Sequence, residues 1–221
     1  VAIIGGGLGG LTLAVQLADA GYSCVLFEKN KYPFHRVCGE YISMESWNFL
    51  EGIGVNLSAW DLPKINRLQV TSPAGNVMKH TLDLGGFGIS RYKLDNELYQ
   101  LAMRKGVLVM DDCKVQKIQF QGEQFSIDCN KGNFTSAVCV GAWGKQSNMD
   151  TALSRSFTKQ IRKEEKNYVG IKYHVKLKFP ADLIELHNFK NGYCGISKIE
   201  EERYCLCYLT AAENLKRYNG D

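Results

Sequence analysis

The sequence of 221 residues predicts an α/β protein: a βαβ domain carrying an antiparallel meander, joined to a second domain of mainly antiparallel sheet. Three observations predict this. An apolar strand, a glycine turn, a helix and a second strand fit into about thirty residues, the size of a βαβ unit. From residue 114, short β-rich segments alternate with glycine turns. After residue 150, further strand-like segments succeed one another, and a second sheet domain is expected there.

Val1–Gly5 reads as the first strand, Leu8–Ala20 as a helix of period 3.6 ended by Gly21, and Ser23–Glu28 as the second strand. Lys29–Glu40 is polar and loop-like. Ser43–Leu50 reads as a helix closed by Gly52 and Gly54. Ile65–Ser72 and Asn76–Leu84 are expected as strands joined by the turn Pro73-Ala74-Gly75. Tyr92–Lys105 is an amphipathic helix with Leu94, Leu98, Leu101 and Ala102 on one face, stopped by Gly106. Val107–Met110 is a strand, followed by the meander Lys114–Gln121, Gln124–Asn130 and Phe134–Val140. Tyr168–Phe179, Leu183–Phe189, Tyr193–Ile199 and Arg203–Leu209 are the strands of the second sheet, and Ala211–Tyr218 is helix-like. The domains are expected at 1–63 with 84–150, and at 64–83 with 151–221.

Composition sets bounds on function. A net charge of +4, dispersed except in short clusters such as Arg162–Lys166, does not make a nucleic-acid surface. That cluster reads as a solvated turn or helix face. No apolar run approaches the roughly 20 residues that span a bilayer, which leaves only peripheral membrane contact open. The apolar start Val1–Ile4 runs straight into glycines and reads as a strand rather than a signal peptide; with no initiator Met, residues are expected before Val1. The eight cysteines are scattered, with no C-x-x-C pair, and are expected as free thiols in a reducing cytoplasm. Cys205 and Cys207 would share one face of a strand. His35, His80, His174 and His187 have neither metal-ligand nor triad spacing and are read as structural or exposed.

The chemistry lies in Gly5-Gly6-Gly7-Leu8-Gly9-Gly10, which contains G-x-G-x-x-G at Gly5, Gly7 and Gly10. Gly5 allows the tight turn, Gly7 leaves room for a pyrophosphate, and Gly10 lets helix and strand pack closely. The helix start, with Leu8, Gly9 and Gly10, offers unpaired N–H groups to phosphate charge. Glu28, followed by Lys29, stands roughly 20 residues on, where an acid accepts hydrogen bonds from a ribose diol. An NAD dehydrogenase would continue with alternating strands and helices; a loop, a helix and sheet segments follow here, which favours FAD.

With these residues in view, the sequence resembles the FAD-dependent oxidoreductases that group geranylgeranyl reductases, hydroxylases of the para-hydroxybenzoate hydroxylase type and flavin-dependent halogenases. Beyond the glycine motif the resemblance rests on three stretches. Pro33-Phe34-His35-Arg36-Val37-Cys38-Gly39-Glu40 is similar to the P-x-x-K/R-x-C-G-G/E of the reductase branch. It implies that Arg36 meets the phosphate–ribose region and that Cys38 and Gly39 border the flavin ring. Arg91-Tyr92-Lys93-Leu94-Asp95-Asn96-Glu97-Leu98 is similar to R-x-x-L-D-x-x-L, which implies a cofactor role for Arg91. Gly141-Ala142-Trp143-Gly144-Lys145-Gln146-Ser147 is similar to G-A-D-G-x-x-S, which implies that Gly141, Ala142 and Gly144 close over the cofactor, with Trp143 in place of the Asp. Val115 matches a position whose backbone meets adenine.

The family's later G-D motif has no match, since Gly220-Asp221 follows no apolar strand; the chain is expected to stop before the family's C-terminal part. Asn191–Ile196 falls where the reductases carry Y-x-W-x-F-P. Tyr193 matches the Tyr, Gly195 stands at the Trp, and the two are expected to line the substrate side. The resemblance implies reduction or dehydrogenation of a C–C bond in an apolar or isoprenoid-like substrate by hydride transfer through FAD, with NADPH or NADH as reductant. Hydroxylation of an aromatic substrate through a flavin hydroperoxide is the rival reading, and a non-catalytic flavin-binding module the third. No catalytic side chain and no metal ligand is assigned, because the flavin carries the chemistry.

Overall fold

The structure is a computed structural model that describes residues 1–145, 147–159 and 168–217. Residues 160–167, which include the Arg162–Lys166 cluster, lie outside the described residues, as do Gln146, Tyr218 and the Gly220-Asp221 pair. By contacts the chain forms two compact units: residues 1–34 with 92–159, and residues 35–91 with 168–217.

In the first unit, β1 (Ala2–Ile4), β2 (Val25–Phe27), β6 (Leu108–Met110) and β10 (Cys139–Gly141) form a parallel sheet in the order β10-β1-β2-β6. A parallel sheet buries its strands on both faces, and Ala2, Ile3, Ile4, Leu26 and Phe27 are all buried. Helix α1 (Leu8–Asp19) crosses from β1 to β2 and buries Leu11, Ala14 and Val15, a helical spacing. At its end the N–H groups of Gly21 and Tyr22 return to the carbonyls of Ala18 and Leu17. The expected meander is present as β7 (Val115–Gln121), β8 (Gln124–Cys129) and β9 (Gly132–Ser136). Its inner face joins the parallel sheet in a core of Ala2, Ile4, Phe27, Cys113, Ile127 and Cys129. Helix α3 (Arg91–Arg104) buries Leu94, Leu98, Leu101 and Ala102, the face read from the sequence. A short helix, α4 (Met149–Ala152), follows β10.

Phe134–Val140, read as one strand, is two. The chain leaves the meander after Ser136, whose hydroxyl turns back to the Val138 carbonyl at 2.9 Å, and re-enters as β10 beside β1. An apolar run without Gly or Pro carries no local signal for that break.

The second unit holds a seven-stranded sheet in the order β11-β14-β13-β12-β4-β5-β3. Its members are β3 (Tyr41–Ser43), β4 (Lys64–Thr71), β5 (Val77–Gly88), β11 (Tyr168–Val175), β12 (Leu183–Phe189), β13 (Gly192–Lys198) and β14 (Tyr204–Ala211). All neighbours are antiparallel except β12 and β4. The expected strands of residues 65–83 thus join the sheet built by the later ones. Helix α2 (Glu45–Gly52) lies between β3 and β4 in sequence, and α5 (Ala212–Arg217) follows β14.

Two elements differ from the sequence reading. Strand β3 pairs with residues 86–88, so β5 runs on past Gly85 instead of ending at Leu84; the pairing register of β4 and β5 shifts between Ile65 and Arg67. Through that pairing, residues 35–63 and 84–91 pack with the second unit, whereas the sequence reading grouped them with the βαβ domain.

Candidate functional site

The glycine turn sits at the end of β1. Gly5 has φ +111°, and a Cβ there would lie 2.4 Å from the Ala142 carbonyl oxygen, so both the turn and the close approach of β10 require glycine. A Cβ at Gly10 would lie 1.9 Å from the Gly5 carbonyl oxygen, which is how helix and turn come together. At Gly7 and Gly9 a Cβ would meet nothing within 4 Å. The middle glycine therefore answers to no protein neighbour; the space beside it is open. Gly7 is the N-cap of α1 in extended conformation, no side chain caps it, and the first turn carries no acid. The N–H groups of this helix start are left for an anion, in the field of the helix dipole.

Glu28 follows β2 and is buried. Its Oε2 accepts the Gly6 N–H at 2.9 Å, and its Oε1 accepts both the backbone and side-chain N–H groups of Asn30 at 3.0 Å. Both oxygens thus stay acceptors tied to the turn, and a carboxylate has lone pairs for further donors such as a ribose diol. The Tyr32 hydroxyl donates to the Gly6 carbonyl, and its ring stacks on Tyr99 of α3 at 4.4 Å and 13°. Tyr32 braces the turn from below; sequence reasoning passed over it because nothing local ties residue 32 to residue 6.

Of the other expected cofactor residues in this unit, Ala142 joins the turn directly, its N–H donating to the Ile4 carbonyl at 2.8 Å. The ring of Trp143 takes the place that a side chain at Gly141 would need, and Gly141, Gly144 and Lys29 are exposed. The Val115 side chain packs, half-buried, against the meander core.

Arg36, Cys38, Gly39, Arg91, Tyr193 and Gly195 belong to the second unit. There the loop 35–40 crosses one face of the β11–β14 pair. It is pinned by Glu40, whose side chain is fully buried and whose backbone has φ +56°. Glu40 accepts from Lys172 Nζ at 2.5 Å, from the Arg91 N–H at 2.9 Å, and pairs with His174 Nε2 at 2.6 Å. The His35 ring stands edge-on to His174 at 5.2 Å. Burial first, then the charge of Lys172, hold the His35 pKa below its ordinary value. Next to Arg91, Ser90 gives its N–H to the buried carboxylate of Glu200 at 2.8 Å and its hydroxyl to the other oxygen. The start of α3 is thus capped by two buried acids. The Cys38 sulfur accepts the Glu40 N–H at 3.5 Å, and its carbonyl accepts from the Cys205 thiol at 3.4 Å. Tyr193 and Gly195 alternate on β13, on the same sheet face, with Tyr193 exposed and Gly195 buried opposite Cys207. His187 bonds Glu185 at 3.0 Å. Among the described residues no group of three or more potential ligands could hold a metal, and no helix is long and apolar enough to cross a membrane.

Comparison with known proteins agrees with this architecture. Residues 3–39 match the NAD(P)-binding Rossmann-like domain family. CmlS, a flavin-dependent halogenase, superposes with a TM-score of 0.82 at 18% identity, over 99% of this chain and 43% of that one. A flavoprotein/dehydrogenase from Cytophaga hutchinsonii superposes with a TM-score of 0.77 at 16% identity, over 98% and 57%. The chain shares the fold of these proteins. A sequence relative is the FAD-dependent monooxygenase atnJ of Arthrinium sp, 26% identical over 125 residues, which are 50% of this chain and 29% of that protein. The chain spans about half the length of the flavoproteins it superposes on, and less of atnJ.

Proposed function

We propose that this chain is the FAD-binding part of a flavin-dependent oxidoreductase that acts on a small apolar or aromatic substrate. The observation that carries the reading is the open space at Gly7, in front of an uncapped helix start: Gly5, Gly6 and Gly10 are glycine because protein atoms crowd them, whereas a Cβ at Gly7 would meet no protein atom within 4 Å. The N–H groups of residues 8–10 hold the pyrophosphate, and Glu28 the adenosine ribose. Ala142 and Gly144 border the same turn, with the Val115 backbone towards adenine. Arg36 and Arg91 supply positive charge to the cofactor, Cys38 and Gly39 border the ring, and Tyr193 and Gly195 line the substrate side. When bound, FAD supplies the two-electron chemistry, with NADPH or NADH as the source of electrons.

Monooxygenation is the first reading of the reaction, because a sequence relative is an FAD-dependent monooxygenase. The Arg36–Glu40 stretch, similar to the geranylgeranyl reductase branch, supports the second, reduction or dehydrogenation of a C–C bond in an isoprenoid-like substrate.

Flavin content tests the cofactor. The protein should retain FAD after desalting, and Gly7→Val should lose it while keeping its circular dichroism spectrum, since the new side chain meets only open space. Normal FAD content in a folded Gly7→Val protein would refute the assignment. Oxygen dependence tests the reaction: substrate-stimulated NADPH or NADH oxidation that stops without oxygen marks the monooxygenase, and product formed without oxygen marks the reductase.

A further inference from the structure

We propose that β11, the open edge of the seven-stranded sheet, is the surface through which two copies of this chain pair as a two-fold dimer. β11 ends the sheet and pairs with β14 alone, all eight of its residues in register and without a bulge. Its outer side bonds to no backbone group among the described residues. Not one of its eight residues is buried, whereas four of the eight on β14 are, which is how an uncovered edge differs from an inner strand. Tyr168 and Tyr173 are 49% and 55% exposed.

An open edge presents a row of unpaired N–H and C=O groups, and proteins guard such rows with short strands, bulges, prolines or outward-standing charges. The opposite edge of this sheet, β3, is only three residues long. β11 has none of these guards. It contains no proline, and its two chargeable side chains, Lys172 and His174, are both turned onto the sheet face where Glu40 holds them. The other face of the strand carries Val169, Ile171, Tyr173 and Val175, an apolar row of residues that favour strands. A long, unguarded, apolar edge is a template for a further strand.

The strand is complementary to itself. For two copies to continue one sheet, residues opposite each other must share a face, so the two-fold axis passes through a residue. With the axis at Ile171, that residue faces its own copy, and Val169 faces the partner's Tyr173, a β-branched side chain against an aromatic one. On the other face Gly170 stands opposite the partner's Lys172, and Tyr168 opposite the partner's His174. An axis at Lys172 would set two ammonium groups against each other. Charge thus selects the register centred on Ile171. The pairing needs no flavin and does not rest on the function proposed above.

Sedimentation velocity of the purified protein at micromolar concentration tests the proposal. Expected is a concentration-dependent dimer. Tyr173→Lys and Val169→Glu should each raise its dissociation constant about tenfold or more, because each change enters the seam twice. Combined in one chain, the two should restore the dimer, since the introduced ammonium then faces the introduced carboxylate of the other copy. A dimer that persists unchanged in Tyr173→Lys, or a folded double variant that pairs no more tightly than the single ones, would overturn the proposal. So would a wild-type protein that stays monomeric, and slow deuterium exchange of its β11 amides would then assign the edge to another segment of the same chain. Wild type and Tyr173→Lys, which alters an exposed side chain, decide even where Val169→Glu fails to fold.

Discussion

Removing the Glu40 carboxylate should destabilise the second unit far more than any exposed charge could. The side chain of Glu40 has no solvent exposure and that of Lys172 only 6%, at 2.5 Å from each other. Deleting one partner of a buried pair leaves the other charge without compensation, which costs about 3–5 kcal/mol. The Arg91 N–H loses its acceptor as well, a loss of about 1 kcal/mol that falls within that range. With a urea m-value of roughly 2–3 kcal/mol/M, Glu40→Ala should move the unfolding midpoint down by about 1–2.5 M. Adding Lys172→Met removes the stranded ammonium, so the double variant should be more stable than Glu40→Ala alone by about 2 kcal/mol. Urea unfolding followed by circular dichroism measures both. A single variant within about 1 kcal/mol of wild type, or a double variant no better than the single, would refute the claim that this buried pair pins the 35–40 loop.

Three further outcomes follow from the same geometry. Gly10→Ala should fail to fold or lose several kcal/mol, because its Cβ would fall 1.9 Å from the Gly5 carbonyl oxygen; thermal melting checks this, and a normal melt would mean that helix and turn are not in contact. Tyr32→Phe leaves the buried Gly6 carbonyl without its hydroxyl donor and should cost about 1–3 kcal/mol, read from the urea midpoint. His35 has a pKa below its ordinary 6.5, so the unfolded chain binds its proton first as pH falls; its contribution to stability is complete above about pH 6.5 and declines below it. An NMR titration of His35 should give a midpoint under 6.5, and a higher one would contradict the packing against His174 and Lys172.

The parts of this molecule that were legible in the sequence are those encoded within one stretch of chain. The βαβ unit is one: strand period, helix period and glycine spacing are all local. The α3 face and the meander are legible for the same reason. What could not be read depends on distant partners. Glu40 stands inside a recognised stretch, yet Lys172 and His174 are 132 and 134 residues away, and no pattern near Glu40 names them. Strand β3 is three residues long and exists only because residues 86–88 lie beside it. Its pairing, not its propensity, makes it a strand.

Trp143 shows how a departure from a motif can be half understood from sequence. As a sequence feature it is the loss of a carboxylate. In the structure the ring lies over Gly141, so closely that a Cβ at that glycine would fall 2.4 Å from it, and it packs on the core that joins the parallel sheet to the meander. The indole therefore fills apolar space that a carboxylate could enter only at the cost of desolvation. Trp143 and Gly141 are matched to each other: the large residue requires the small one, and together they close the end of β10 without a charge. At the glycine turn itself it is the backbone of Ala142 and Trp143 that stands against Gly5, while the indole is turned to Gly141 and the core.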